Sequence, residues 1–229
     1  MINPSHLKTE IENIQKFLIS KGYTNDDNFV FIKNEGRKDF TVCINNLGDE
    51  IFLGDANNCH SYEELYYFYH KNRVFLTELI DGALIQIEYV IRNNNLWSYR
   101  LAFLPNPRLI AQEIEPEMYE TEELFFIDSI NKPVIHPVIR FDFDNDPTHY
   151  VPVKHSRSHL TIGQSDRCRI ALSEPLTPYK FIAFIFEHFY GSLYETIKAD
   201  LNILRFHALG FGTCLQHEEK EYLHLNVGK

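Results

Sequence analysis

The sequence predicts an α+β fold, a mostly antiparallel sheet packed against several helices in a single compact domain over residues 1–229. Three observations lead there. Stretches of strand and helix character do not alternate regularly along the chain, which disfavours a parallel βαβ arrangement. Two β-rich runs, residues 83–91 and 96–104, flank Asn93-Asn94-Asn95 and read as a hairpin. The 229 residues, 44% hydrophobic and 24% charged, are enough for one well-buried core and short for two ordinary domains. With 18 Phe, 13 Tyr and only 2 Met, that core should be aromatic and aliphatic, with little methionine to adapt its shape.

Residues 6–23 read as a helix, because Leu7, Ile11, Ile14, Phe17 and Leu18 recur at helical spacing and Gly22 supplies a stop. Short strands at 29–33 and 40–45 are separated by the turn-like Asn34-Glu35-Gly36. Ser61-Tyr62-Glu63-Glu64 is a capping box, opening a helix that is expected to run through Leu65, Phe68 and Tyr69 toward Leu79. After the hairpin, Pro105 and Pro107 end pairing, and residues 113–130 read as a surface helix or loop. Residues 138–143 form a strand, with a turn at Asn145-Asp146-Pro147 and two more short strands at 159–162 and 169–172. Thr177-Pro178 opens a largely apolar helix carrying Phe181, Ile185, Phe186, Phe189 and Tyr190, which Gly191 interrupts. One further strand is expected at 222–227.

Composition excludes several classes. No run approaches the ~18 apolar residues of a membrane-spanning helix, and the amino terminus lacks the blocks of a signal peptide. A cytoplasmic protein without membrane contact is expected. Cys43, Cys59, Cys168 and Cys214 form no close ligand pair, so reduced and mostly buried thiols are expected, with neither structural zinc nor disulfide. Cys168 lies between Arg167 and Arg169, but its strand context suggests burial. The net charge of −10 argues against indiscriminate nucleic-acid binding. Charge is nonetheless segregated. Residues 113–128 hold Glu113, Glu115, Glu117, Glu120, Glu122, Glu123 and Asp128 with no Lys or Arg. Residues 154–169 hold Lys154, Arg157, Arg167 and Arg169 against Asp166 alone. Such a local basic patch suits a specific anionic ligand better than a long polyanion, and a nucleotide or nucleic acid is the candidate partner there.

Two signatures carry a resemblance. The first is Asp81-Gly82-Ala83-Leu84-Ile85-Gln86 followed by Tyr99-Arg100-Leu101-Ala102-Phe103-Leu104-Pro105. The second is Arg140-Phe141-Asp142-Phe143-Asp144, then Ser158-His159-Leu160-Thr161-Ile162-Gly163, Cys168-Arg169-Ile170, and Pro175-Leu176-Thr177-Pro178 ahead of a helix ending in Phe189-Tyr190. Over residues 81–190 the chain resembles the bacterial family catalogued as domain of unknown function 2290. The resemblance implies one α+β unit. It also implies a genomic setting among mobile elements and phage-defence or restriction genes. It assigns no reaction and no catalytic residue.

The residues themselves nominate a site. On a strand, Arg140, Asp142 and Asp144 share one face while Phe141 and Phe143 take the other. His155, Arg157 and His159 share a face if their segment is extended, and pairing of the two segments would bring His to Asp. In that arrangement Asp142 and Asp144 hold a divalent cation (Mg or Mn), and His155 and His159 act as acid and base with Arg157. Lys154, Arg167 and Arg169 hold phosphate, as phosphodiester hydrolysis would require. The structural alternative is equally concrete. Arg140 neutralises Asp142 as an ion pair, Asp144 caps the turn, and His159 bonds a buried carbonyl. Two functions follow. One is an accessory or effector protein of a phage-defence or mobile-element module, acting with a larger ATPase or nuclease. The other is a metal-dependent phosphodiesterase or nuclease of toxin-like type.

Overall fold

The computed structural model describes residues 2–44, 61–107, 137–163, 168–205 and 209–227. Helix α1, Pro4–Ser20, begins earlier than its apolar stripe suggests. Asn3 caps it by accepting from the Ser5 N–H at 2.9 Å, and Pro4 stands in its first turn. The stripe Leu7, Ile11, Ile14 and Leu18 is buried, and Gly22 turns the chain away at φ +73°. Strands β1 (Thr24–Asp27), β2 (Val30–Asn34) and β3 (Phe40–Ile44) follow. Polar Thr-Asn-Asp-Asp gives β1 no strand signal of its own. It is a strand because it pairs with a neighbour, a case of tertiary context overriding propensity.

Helix α2, Tyr62–Lys71, opens at Ser61, whose hydroxyl accepts from the Glu64 N–H at 3.2 Å. It does not continue toward Leu79 as the sequence suggests. Arg73 adopts φ +55°, Val74, Phe75 and Leu76 turn into the interior, and Thr77–Leu79 becomes strand β4. A short apolar run fits a helical face and a core crossing equally well, which is why the periodicity misled. The hairpin comes next, β5 (Leu84–Arg92) and β6 (Asn95–Leu104). Asn93 and Asn94 take φ of 51° and 60°, the left-handed pair that a tight two-residue hairpin turn requires.

The rest of the sheet is β7 (Ile139–Asp144), β8 (Ser158–Ile162), β9 (Arg169–Leu172) and β10 (His224–Leu225). Strand order is β1-β4-β5-β6-β7-β8-β9-β10, with β3 also on β5 and β2 on β3. Among the described residues, every pairing is antiparallel except β9 with β10. Helices α3 (Pro178–Phe189) and α4 (Gly191–Ile203) are separate, because Tyr190 leaves helical geometry at φ −131°, ψ 50°. The expected strand at 222–227 shrinks to two residues behind a 3-10 turn, Glu218–Glu221.

The sheet has two unlike faces. Tyr99, Leu101, Phe103, Phe141, Phe143 and Leu160 look toward the helices and share one core with Phe181 and Ile185, with Phe189 at its margin. The Phe141 ring lies 5.1 Å from Phe184 and 6.0 Å from Phe181, so β7 packs under α3 as its phase predicts. The opposite face is covered at one end by α2, where Leu65, Tyr66 and Tyr69 meet Leu84, Ala102 and Leu104. The acidic stretch 113–128, Cys59, His60 and Arg167 lie outside the described residues.

Candidate functional site

Beyond α2, that second face turns polar. Register fixes its layout in two neighbouring rows across the strands. Arg100 on β6 stands opposite Asp142 on β7, which stands opposite His159 on β8. In the next row Ala102, Arg140, Thr161 and Arg169 follow in order. The strand phase and the meeting of Asp142 with His159 are therefore as the sequence predicts.

The contacts are internal ones. Asp142 Oδ2 accepts from Arg140 Nε at 2.5 Å, while Arg100 Nε stands 3.9 Å from Oδ1. His159 Nε2 is 3.8 Å from Oδ2, beyond hydrogen-bond reach, and its side chain is only 2% exposed. Its Nδ1 lies 2.8 Å from the Ser156 carbonyl oxygen, so Nδ1–H donates there. Burial holds the imidazole below its ordinary pKa, partly offset by the Asp142 charge. A neutral, carbonyl-bound, enclosed His fits a structural part better than a general base.

Asp144 serves the adjoining turn. Its Oδ1 accepts from the Asp146 N–H at 2.8 Å, and its Oδ2 pairs with His149 Nδ1 at 2.7 Å, which raises that histidine's pKa. The two carboxylates thus face different partners. Among the described residues, no group of three or more His, Cys, Asp and Glu could hold a metal ion. The donor set of Asp142 and Asp144 does not fit a shared Mg or Mn ion as it stands.

His155 and His159 do not share an extended segment. Residues 151–155 form a turn closed by a Val151–His155 bridge, and β8 starts only at Ser158. Their rings nevertheless meet, with centroids 5.1 Å apart, and His155 Nδ1 lies 2.6 Å from the His149 carbonyl oxygen. Arg157 is tied to the turn after β7, where its Nη1 donates to Asn145 Oδ1 at 3.2 Å. Lys154 sits exposed in the 151–155 turn, outside the paired strands that hold Arg169. Sequence reasoning missed Arg100, His149 and Thr161. Arg100 and Thr161 become site residues only through cross-strand register, while Asp144-x4-His149 offered a local signal.

Cys43, Cys168 and Cys214 are free thiols. Cys168 is exposed just before β9, a correction to its expected burial. Burial first, and Glu219 second, push Cys214 up to about 12.

The two signatures are clasps. Asp81 Oδ1 accepts from the Ala83 N–H at 3.0 Å, Tyr190 OH donates to Asp81 Oδ2 at 2.7 Å, and Tyr66 OH donates to the Gly82 carbonyl. Gly82 sits at φ +80°, and a Cβ there would come 2.5 Å from Asn106 Nδ2. Tyr99 OH accepts from the Leu176 N–H at 3.1 Å and shares a hydrogen bond with Ser158 Oγ at 3.1 Å. These residues join the helices to the sheet.

Fold and site together define an α+β protein with a charged Arg-Asp-His network set into one face of a mostly antiparallel sheet. The chain belongs to the family described as "Uncharacterized conserved protein (DUF2290)", whose model matches residues 23–227. That match takes in both signatures and every residue of the network. No curated protein and no solved structure matches the chain significantly.

Proposed function

We propose that the protein is an accessory or effector component of a phage-defence or mobile-element module, working with a larger ATPase or nuclease rather than hydrolysing a substrate itself. The observation that carries this reading is how the nominated acid–base groups are used. Asp142 is bound by Arg140, Asp144 by a backbone N–H and His149, and His159 by a backbone carbonyl inside the fold. A hydrolase needs such groups aimed at a substrate. The genomic setting implied by the family resemblance supports the same role. A metal-dependent phosphodiesterase is the competing reading, and the direct opposition of Asp142 and His159 favours it. It would require Asp142 to leave Arg140 and take up the cation.

One paired experiment separates them. The full chain is co-expressed with each large ATPase or nuclease found among its neighbouring genes, and the purified chain is assayed for Mg- or Mn-dependent phosphodiester cleavage. Stoichiometric co-elution with that partner, and no turnover that Asp142→Asn removes, are expected. Turnover lost in both Asp142→Asn and His159→Ala, with no complex formed, would overturn the proposal.

A further inference from the structure

Arg100, Arg140 and Arg169 gather in two neighbouring rows of the polar face. Among the described residues, Arg140 meets Asp142 through Nε, which leaves its two terminal nitrogens for another acceptor. Arg100 approaches the same carboxylate only to 3.9 Å, on a side chain 44% exposed. Directly across from Arg140 stands Thr161, 1% exposed, whose Oγ1 has no hydrogen-bond partner among the described residues. Arg169 flanks Thr161 on the other side and is near enough to His159 for its charge to act on that ring. Among the described residues, the acidic groups near these arginines are Asp142 and Asp144 on β7 and, opposite Arg100 on β5, Glu88.

Leaving a buried hydroxyl unbonded is unfavourable, and native proteins keep few of them. This one lies between two arginines in a single row. We infer that the row Arg140-Thr161-Arg169, with Arg100 beside it, binds the phosphate group of a small phosphorylated molecule of nucleotide class. Guanidinium groups give phosphate oxygens paired charge-assisted donors, and the Thr161 hydroxyl adds a neutral one. With strands about 4.8 Å apart, Arg140 and Arg169 bracket a span of roughly 10 Å, which suits one or two phosphates rather than a polymer. The overall charge of −10 also disfavours a polyanion. This site stands whether or not the accessory role does, since it rests on the row alone.

Calorimetric titration of the full chain with inorganic pyrophosphate, ATP and a short single-stranded oligonucleotide tests it. Pyrophosphate and ATP should bind saturably. Thr161→Val should weaken both about tenfold without lowering the unfolding midpoint, since it removes no bond within the protein. Arg169→Gln should weaken both as well, while Lys198→Gln on α4 should change neither. Absence of pyrophosphate and ATP binding, wild-type affinity in both Thr161→Val and Arg169→Gln, or binding of the oligonucleotide alone would overturn the inference.

Discussion

The two faces of strand β7 are built from alternate residues of one hexapeptide, yet they do different work. Phe141 and Phe143 enter a core shared with α3, where apolar area and ring contacts hold the sheet to the helices. Arg140, Asp142 and Asp144 look the other way and hold strands and turn together through charge. The first face follows from period-two alternation and hydrophobicity alone. The second depends on which strands lie beside β7, and its chemistry is decided by partners far off in sequence. A row of titratable residues is therefore no active site until its neighbours are known.

The largest effect should come from the apolar face. Phe141→Ala removes a buried ring between Phe181 and Phe184, at a cost of about 3–5 kcal/mol in denaturant unfolding. A cost below that of a surface change would break the contrast between the faces. On the polar face, Asp142→Asn removes the negative charge that binds Arg140 and stands 3.9 Å from Arg100, and a loss of about 1–3 kcal/mol is expected. The carboxylate side chain is 16% exposed, so solvent replaces little of that interaction.

Acid should sharpen the comparison. Because burial holds the folded pKa of His159 below 6.5, the unfolded chain takes up a proton that the native chain refuses. Stability should fall as pH drops from 6.5 through the folded value, and be flat above that window. His159→Gln should flatten this slope in urea midpoints measured across the range. His149 carries the opposite sign. Asp144 raises its pKa, so its contribution is present below 6.5 and lost as pH rises through the folded value. Exposure makes that the smallest effect, and His149→Ala should leave the midpoint at pH 7 close to wild type.

Much of this was legible in the sequence. The strand phase of β7, the Asn-Asn hairpin, the caps at Ser61 and Thr177, and the structural alternative for Arg140, Asp144 and His159 all follow from local patterns. What was not legible depended on pairing. β1 is a strand only because β4 lies beside it, and β4 was hidden in an apolar run that also suits a helix. Arg100 and Thr161 join the site through registers linking residues distant in sequence. The turn at 151–155 has Val153 at φ +67°, a conformation that a β-branched residue rarely adopts. No local rule would have separated His155 from the strand of His159.

The claim that the polar face is a structural network is tested most directly by the unfolding free energy of His159→Ala at neutral pH. The network reading predicts a loss of about 1–3 kcal/mol, because the Ser156 carbonyl is left without its donor inside the fold. Wild-type stability in that variant, the behaviour of an exposed catalytic histidine, would contradict it.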